Sequence, residues 1–251
     1  MYTKEELTRQ LHAMLPSRTT VLMHSSCKSV GPLENGADTL LDALQDSFCD
    51  GLVVLPAHTW ATVNPRQPVF DVLYSPVCVG ILPELFRRRS GVSRSWHPTH
   101  SVAAWGADAE QFTAGDHLCP TPCARNSAWG RLYDRDAYVL MVGVELSCMT
   151  YFHGVEEWAD VPGRVDMEHP QEYVVIPPAG GRLIGHYNRH IGSPSELFPK
   201  VESDLLRAGA LKFARLGDAT VRVVSCRKSA DLLLPMLREQ PELFGMARGK
   251  A

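Results

Sequence analysis

Three short segments of this 251-residue chain carry residue types that can do chemistry. The first, His24-Ser25-Ser26-Cys27-Lys28-Ser29-Val30-Gly31, follows an apolar, β-branched run. Hydroxyls and a glycine let backbone approach a ligand, and free N–H groups in such a turn suit phosphate oxygens. The GxxxxGK[ST] pattern of a nucleotide-binding loop is absent, and a plain polar strand-end turn is the alternative. The second segment, Arg94-Ser95-Trp96-His97-Pro98-Thr99-His100-Ser101, sets two histidines three apart, which invites a metal. Pro98 between them opposes a helical pair, and no carboxylate or cysteine stands nearby at fitting spacing. A metal hydrolase is therefore an outside alternative, and fixing the loop by hydrogen bonds to backbone is the simpler role for His97 and His100. The third segment, Met149 to Glu157, puts His153 and Glu156 three apart on one helix face, with Glu157 close by. A histidine beside a carboxylate at a strand's end suits an oriented general base, although a lone helical histidine is more often structural.

Such groups need a scaffold that gathers them. Thr19 to Ser26 reads as a buried strand, residues 37–49 as a helix with Leu40, Leu41, Leu44 and Phe48 on one face, and Gly51 opens a second strand, LVVLPAHT. Strand, helix, strand over about 35 residues is a βαβ unit with parallel strands. Tyr138 to Val144 is the best strand in the chain, followed directly by a helix at about 149–160. Prolines 65, 68, 76 and 83 make 60–83 a long surface segment with short helices, whose last helix closes on residues 84–89 with three arginines. Residues 101–105 read as a strand, 107–114 as a short helix and 117–130 as loop. Strands near 171–177, 182–188 and 219–225, with helices at about 195–208 and 228–239, complete the pattern. The expectation is one α/β domain over 1–251, a central mixed sheet flanked by helices. Ligands of such sheets bind beyond the carboxyl ends of the strands, where all three segments fall.

Composition narrows the partners. The chain is 45% hydrophobic and 21% charged, enough to build a core and too ordered in pattern for a disordered protein. A net charge of −3 gives no positive field for nucleic acid, and no apolar run reaches the roughly 18 residues of a spanning helix. The N-terminus, MYTKEELTRQLHAML, interleaves charge with apolar residues and is no signal peptide. Seven cysteines without metal-ligand rhythm then read as reduced thiols in a cytoplasmic protein.

Taken in order, these segments resemble the aminoglycoside 3-N-acetyltransferase family of CoA-dependent acyltransferases, broadly the antibiotic N-acetyltransferases. The family's H-S-S-x-x-S-x-G is matched by His24 to Gly31, and its R-S-x-H-P and A-A-x-G-x-x-A-E by Arg94 to Pro98 and Ala103 to Glu110. Its S-P-x-G-x-L element is matched by Asn126 to Leu132, and its strand ending L-L-G-V by Val139 to Val144. T-x-L-H-x-A-E and V-P follow as Thr150 to Glu156 and Val161-Pro162, so the likeness covers roughly residues 5–240. The resemblance implies direct acetyl transfer from acetyl-CoA to an amine, without a covalent enzyme intermediate, with His153 as general base; no metal is expected. It implies pantetheine and pyrophosphate binding by His24, Ser25, Ser26, Lys28, Ser29 and Val30, Ser127 near the thioester, and His97 shaping the pocket. Arg87, Arg88, Arg89 and Arg94 are candidates for the CoA phosphates, or else a solvated helix end.

Two departures point away from a dedicated resistance enzyme. The family's glutamate and aspartate after V-P are replaced by Asn188 and His190, leaving Glu156, Glu157, His190 or a neutral amide to orient His153. A net charge of −3, with His186, Arg189 and His190 near the cleft, also suits a polycation poorly. The expected function is N-acetyl transfer to an aminoglycoside-like amino sugar or related small amine. Biosynthetic acylation of a phosphonate, nucleotide-sugar or polysaccharide amine is the alternative among enzymes, and a catalytically weak CoA-binding module the alternative outside them. No nucleic-acid or membrane partner is expected, and a homodimer is left open.

Overall fold

The computed structural model describes residues 1–192 and 194–245. The chain opens with α1 (Lys4–Met14), β1 (Thr20–Ser25), α2 (Ala37–Ser47), β2 (Leu52–Pro56) and β3 (Val69–Asp71). It continues with α3 (Ile81–Phe86), β4 (Val92–Arg94), β5 (Val102–Trp105), α4 (Ala109–Thr113), α5 (Ala128–Asp134) and β6 (Tyr138–Val142). The remainder is α6 (Thr150–Trp158), β7 (Gln171–Ile176), β8 (Leu183–Tyr187), α7 (Glu202–Arg207), β9 (Leu211–Leu216), β10 (Ala219–Ser225) and α8 (Cys226–Glu239). No described helix is long and apolar enough to cross a membrane.

Seven strands form a mixed sheet in the order β4-β5-β2-β1-β6-β10-β9. β1 lies at its centre, parallel to both β2 and β6, and the outer pairings are antiparallel. Alternate residues serve opposite faces, as the pleat requires. Val21, Met23, Val53, Leu55, Leu140 and Val142 pack with α1, α2 and α3, whereas Leu22, Leu52, Val54, Val139 and Met141 pack with α4, α5, α6 and α8. A strand buried on both faces must be apolar throughout, which is why β1 and β6 are so legible.

Several local expectations are corrected. The segment 60–83 contributes β3, which pairs with β7 in a separate three-stranded sheet, β3-β7-β8, around Phe70, Tyr173, Val175 and Tyr187. Strands β7 and β8 therefore do not join the central sheet. Residues 128–130, read as loop, begin α5, with Ser127 as its N-cap. The expected helix at 195–208 is a 3-10 segment, Pro194–Val201, running into the short α7, since Pro199 lacks the N–H that an α-helix needs there. Strands β4 and β9 escape a sequence reading because both are short or half exposed and carry charged residues.

The ends of β1, β2 and β6 open on the same edge. β5 runs antiparallel to β2, so the residues before it arrive at that edge too: Ala57 N–H donates to Ser101 O and Thr59 N–H to Thr99 O. Gly143, just past β6, has φ +62, and a Cβ there would strike Ser29, so only glycine lets these two strand ends close on each other.

Candidate active site

The helix α6 begins where β6 has ended, and its Tyr151, Phe152, Gly154 and Val155 are buried. Gly154 brings it against the loop before α5, because an added Cβ would meet Trp158 and Cys123 at 3.0–3.3 Å. That packing leaves His153 on the first turn facing the edge described above. Its Nδ1 lies 3.1 Å from Glu156 Oε2, one helical turn away. Glu156 is fully buried and its Oε1 is 2.8 Å from Nε of Arg164, itself buried. A carboxylate so enclosed is sustained by that ion pair. With Nδ1 engaged, Nε2 is the free nitrogen of His153.

The next residue, Glu157, holds a different histidine. His190 Nε2 is 2.5 Å from Glu157 Oε1, which also accepts from the Cys123 N–H at 2.8 Å, while Oε2 accepts from the Thr121 hydroxyl at 2.5 Å. The His153 and His190 rings are 4.9 Å apart and tilted by 35°. His153 is thus oriented by Glu156, and neither His190 nor an amide is its partner.

Around His153 lies a cavity of ≈ 350 Å³ whose walls include His24 and Ser25 at the end of β1, His58 after β2, His100, Thr150 and Cys148. A second cavity of ≈ 250 Å³ adjoins it, lined by Asn64, Gln171, Tyr173, Asn188, Arg189 and His190, and Trp60 and His100 border both. Among the described residues no aspartate or glutamate lines either one. His58 Nε2 is 3.2 Å from the Thr150 hydroxyl, and its ring stacks on Trp129, whose indole N–H donates to His100 O.

Burial sets the electrostatics. It pushes His24 down to about 4 and His97 down to about 3, and it holds His58 and His100 well below the ordinary imidazole value, with neighbouring histidines adding to the last three. His153 is lowered first by burial and then by His190, while its hydrogen bond to Glu156 pulls it back up. The pocket is therefore walled with neutral imidazoles at pH 7. A neutral imidazole with a bare nitrogen is a base.

Of the residues singled out from sequence, His24, Ser25 and His153 line the first cavity, and His190 and Asn188 the second. Ser26 caps the 3-10 turn Cys27–Val30 without using its side chain, and Lys28 is exposed beside it. Others are occupied elsewhere. Val30 is fully buried in the core, and Ser29 packs under Gly143. Ser127 Oγ donates to Ala124 O at 2.7 Å and accepts from Trp129 N–H, so its hydroxyl serves as a helix cap. The Arg94 guanidinium is buried and donates to the carbonyls of Val72, Ser75 and Ala57 and to Ser101 Oγ. Arg87 and Arg88 pair with Glu84, and Arg89 with Asp38 and Asp42, around a different cavity of ≈ 930 Å³. His97 Nδ1 accepts from the N–H groups of Thr99 and His100, the loop-fixing role.

Sequence reasoning missed His58 and Arg164. His58 ends the strand run LVVLPAHT and carried a positional signal, whereas Arg164 lies in a loop with none. Cys123 Sγ, a Glu157 oxygen and a His190 nitrogen lie within 4.8 Å of one another, a span that suits a divalent ion. Both Glu157 oxygens here accept hydrogen bonds, Oε1 from the Cys123 N–H and from His190, and Oε2 from the Thr121 hydroxyl.

Known proteins share this fold. The family profile described as aminoglycoside 3-N-acetyltransferase matches residues 22–238. Aminoglycoside N(3)-acetyltransferase VII of Streptomyces paromomycinus is 28% identical, over 98% of this chain and 94% of that protein. The solved structure of AAC-IIIb in binary complex with CoASH is similar with a TM-score of 0.83 at 25% identity, covering 100% of this chain and 99% of that one. That of aminoglycoside acetyltransferase AAC(3)-IVa, as a histidine-to-alanine variant in complex with a gentamicin, has a TM-score of 0.83 at 29% identity, covering 97% and 91%. Strand ends, histidine-carboxylate pair and these likenesses converge: the chain belongs to the aminoglycoside 3-N-acetyltransferase family of acyltransferases.

Proposed function

We propose that the protein moves acetyl from acetyl-CoA to the amine of an amino sugar or related small amine by direct transfer, with His153 as general base. The observation that carries this is the chain Arg164–Glu156–His153, which fixes Nδ1 and leaves Nε2 bare in the cavity at the end of β1. The CoA-bound relative supports the co-substrate, which supplies the activated acetyl group. The half-exposed Ser25 and Ser26, the unused Ser26 hydroxyl and the exposed Lys28 suit its pantetheine and phosphate groups.

An amine attacks a thioester only as the neutral base, and the nitrogen must shed a second proton once the new bond forms. His153 Nε2 accepts a proton there and returns it to the leaving sulfur, while Glu156 stabilises the imidazolium in between. Ser127 is occupied as a cap; the Thr150 hydroxyl lines the cavity and, where it accepts from His58 Nε2–H, keeps its own proton for an oxyanion. Cavities without a lining carboxylate favour a small amine of low charge over a polycation. The expectation is weak transfer to gentamicin-type drugs.

The test is His153→Gln, assayed by thiol release from acetyl-CoA with an amine panel. kcat should fall by about 10²–10⁴, the usual worth of general-base catalysis, while calorimetry shows CoA still bound. Near-native kcat at neutral pH would remove the mechanism.

A further inference from the structure

Two adjacent glutamates on one helix each hold a different histidine, and they hold opposite nitrogens. Glu156 engages Nδ1 of His153 and leaves Nε2 bare; Glu157 engages Nε2 of His190 and leaves Nδ1 bare. The two rings are 4.9 Å apart, yet they face different cavities, His153 the one that begins at β1 and His190 its neighbour. Glu157 is held in turn by the Cys123 N–H and the Thr121 hydroxyl, so His190 is anchored as firmly as His153.

The proton count of the reaction gives this arrangement a use. An ammonium and a thioester yield an amide, a thiol and one proton: the C–N bond forms and the C–S bond breaks. The nitrogen sheds two protons on the way, the first to free its lone pair and the second after attack. The second ends on sulfur, and the first leaves to solvent. One imidazole can perform both transfers only by discharging the first proton before taking the second. Building on the acetyl-transfer reading above, we infer that the His190–Glu157 pair is a second catalytic base, which takes the first proton from an acceptor arriving as an ammonium, and that His153 handles the second.

His190 Nδ1 takes that proton from the acceptor side, Glu157 stabilises the imidazolium, and the small exposure of the ring returns the proton to water. The titratable groups facing His190 are Glu157 and His153 from α6, His97 and His100 from the loop before β5, and Cys123 from the loop before α5. Burial keeps the thiol of Cys123 far above its ordinary value and His97 and His100 far below theirs, so at neutral pH Glu157 supplies the countercharge. Arg189 next door is paired with Asp166 at 3.4 Å. A positive charge on His190 disfavours one on His153 across the 4.9 Å between the rings. Transfer in turn, rather than double protonation, follows.

The test compares two acceptors in each enzyme: a primary alkylamine of pKa about 9–10, which arrives as an ammonium, and an aromatic amine or hydrazide of pKa below about 5, which arrives neutral. For His190→Gln the loss of kcat/KM on the alkylamine should exceed the loss on the neutral amine by at least about tenfold, a low value for one general-base step. The rising limb of the alkylamine pH profile should also shift to follow the acceptor's own pKa. Because each ratio is taken within one preparation, a partly unfolded variant lowers both rates together and leaves the ratio intact. His153→Gln should lose activity on both acceptors alike. Equal losses on the two amines for His190→Gln would overturn the second base while leaving His153 in place. Acceptor-selective loss in His153→Gln would reverse the two assignments and overturn it too. Absence of acetyl transfer from the native enzyme to any amine would overturn the reading beneath it, and the inference with it.

Discussion

Replacing Glu156 by glutamine separates the two roles of one buried carboxylate, acceptor for His153 Nδ1 and counterion for Arg164. A hydrogen bond to a charged acceptor is worth about 1.5–3 kcal/mol against about 0.5–1.5 for a neutral one, a difference of about 1–1.5 kcal/mol. At about 1.36 kcal/mol per pKa unit, His153 should fall by about one unit further below the ordinary imidazole value. The sign is fixed by the partner: Glu156 raises His153, so its loss lowers it, and the acidic limb of the kcat/KM profile moves to lower pH. The developing imidazolium also loses its countercharge, which lowers the plateau by about 10-fold or more. Arg164 is buried and left without its partner, so the fold should lose about 3–5 kcal/mol. Arg164→Met should cost a similar amount of stability but move the limb the other way, because the arginine holds His153 down. The double variant buries no net charge, so its stability loss should be well short of the sum. Urea denaturation and pH–rate profiles of the three variants provide the assay. An acidic limb that stays put or rises in Glu156→Gln would refute the reasoning.

Two further outcomes are expected. Acid should unfold the protein through its neutral buried histidines: unfolded, they take protons near 6.5, whereas the folded chain resists until about 4 at His24 and about 3 at His97. Stability is therefore full above about pH 6.5 and declines as pH falls toward 4, opposed in part by Asp116, whose carboxyl is pushed up to about 6 by burial. Urea titrations at several pH values should show a net uptake of more than one proton on unfolding near pH 5, and a flat profile from pH 7 to 4.5 would contradict this. Ser127→Ala should cost about 1 kcal/mol, the worth of an N-cap, with CoA affinity held within about twofold. A large loss of CoA affinity by calorimetry would restore Ser127 to the thioester.

The residues that announced themselves did so through local rules. His153 and Glu156 share a helix face at i, i+3, and the apolar run Tyr138 to Val142 required a buried strand before them. The turn after β1 was legible from its small polar residues, and the central sheet from alternating strands and helices. The three-stranded sheet was not, since β3 has three residues among prolines and gains its identity only by pairing with β7. Ser127 and Arg94 stood in recognisable motifs, yet their polar atoms are occupied by capping and by buried carbonyls.

The sequence alone determined the α/β class, the strand-end loops and the histidine with a carboxylate one turn away, because strand pleat and helix pitch act over neighbouring residues. The tertiary structure decided which partner each group keeps. Arg164 reaches Glu156 from a loop beyond the helix, His190 meets Glu157 across 33 positions, and His58 arrives from a parallel strand. No periodicity encodes such meetings. They follow from burial, which removes water as a competing partner and leaves each charge to the nearest group that the packed chain brings within reach.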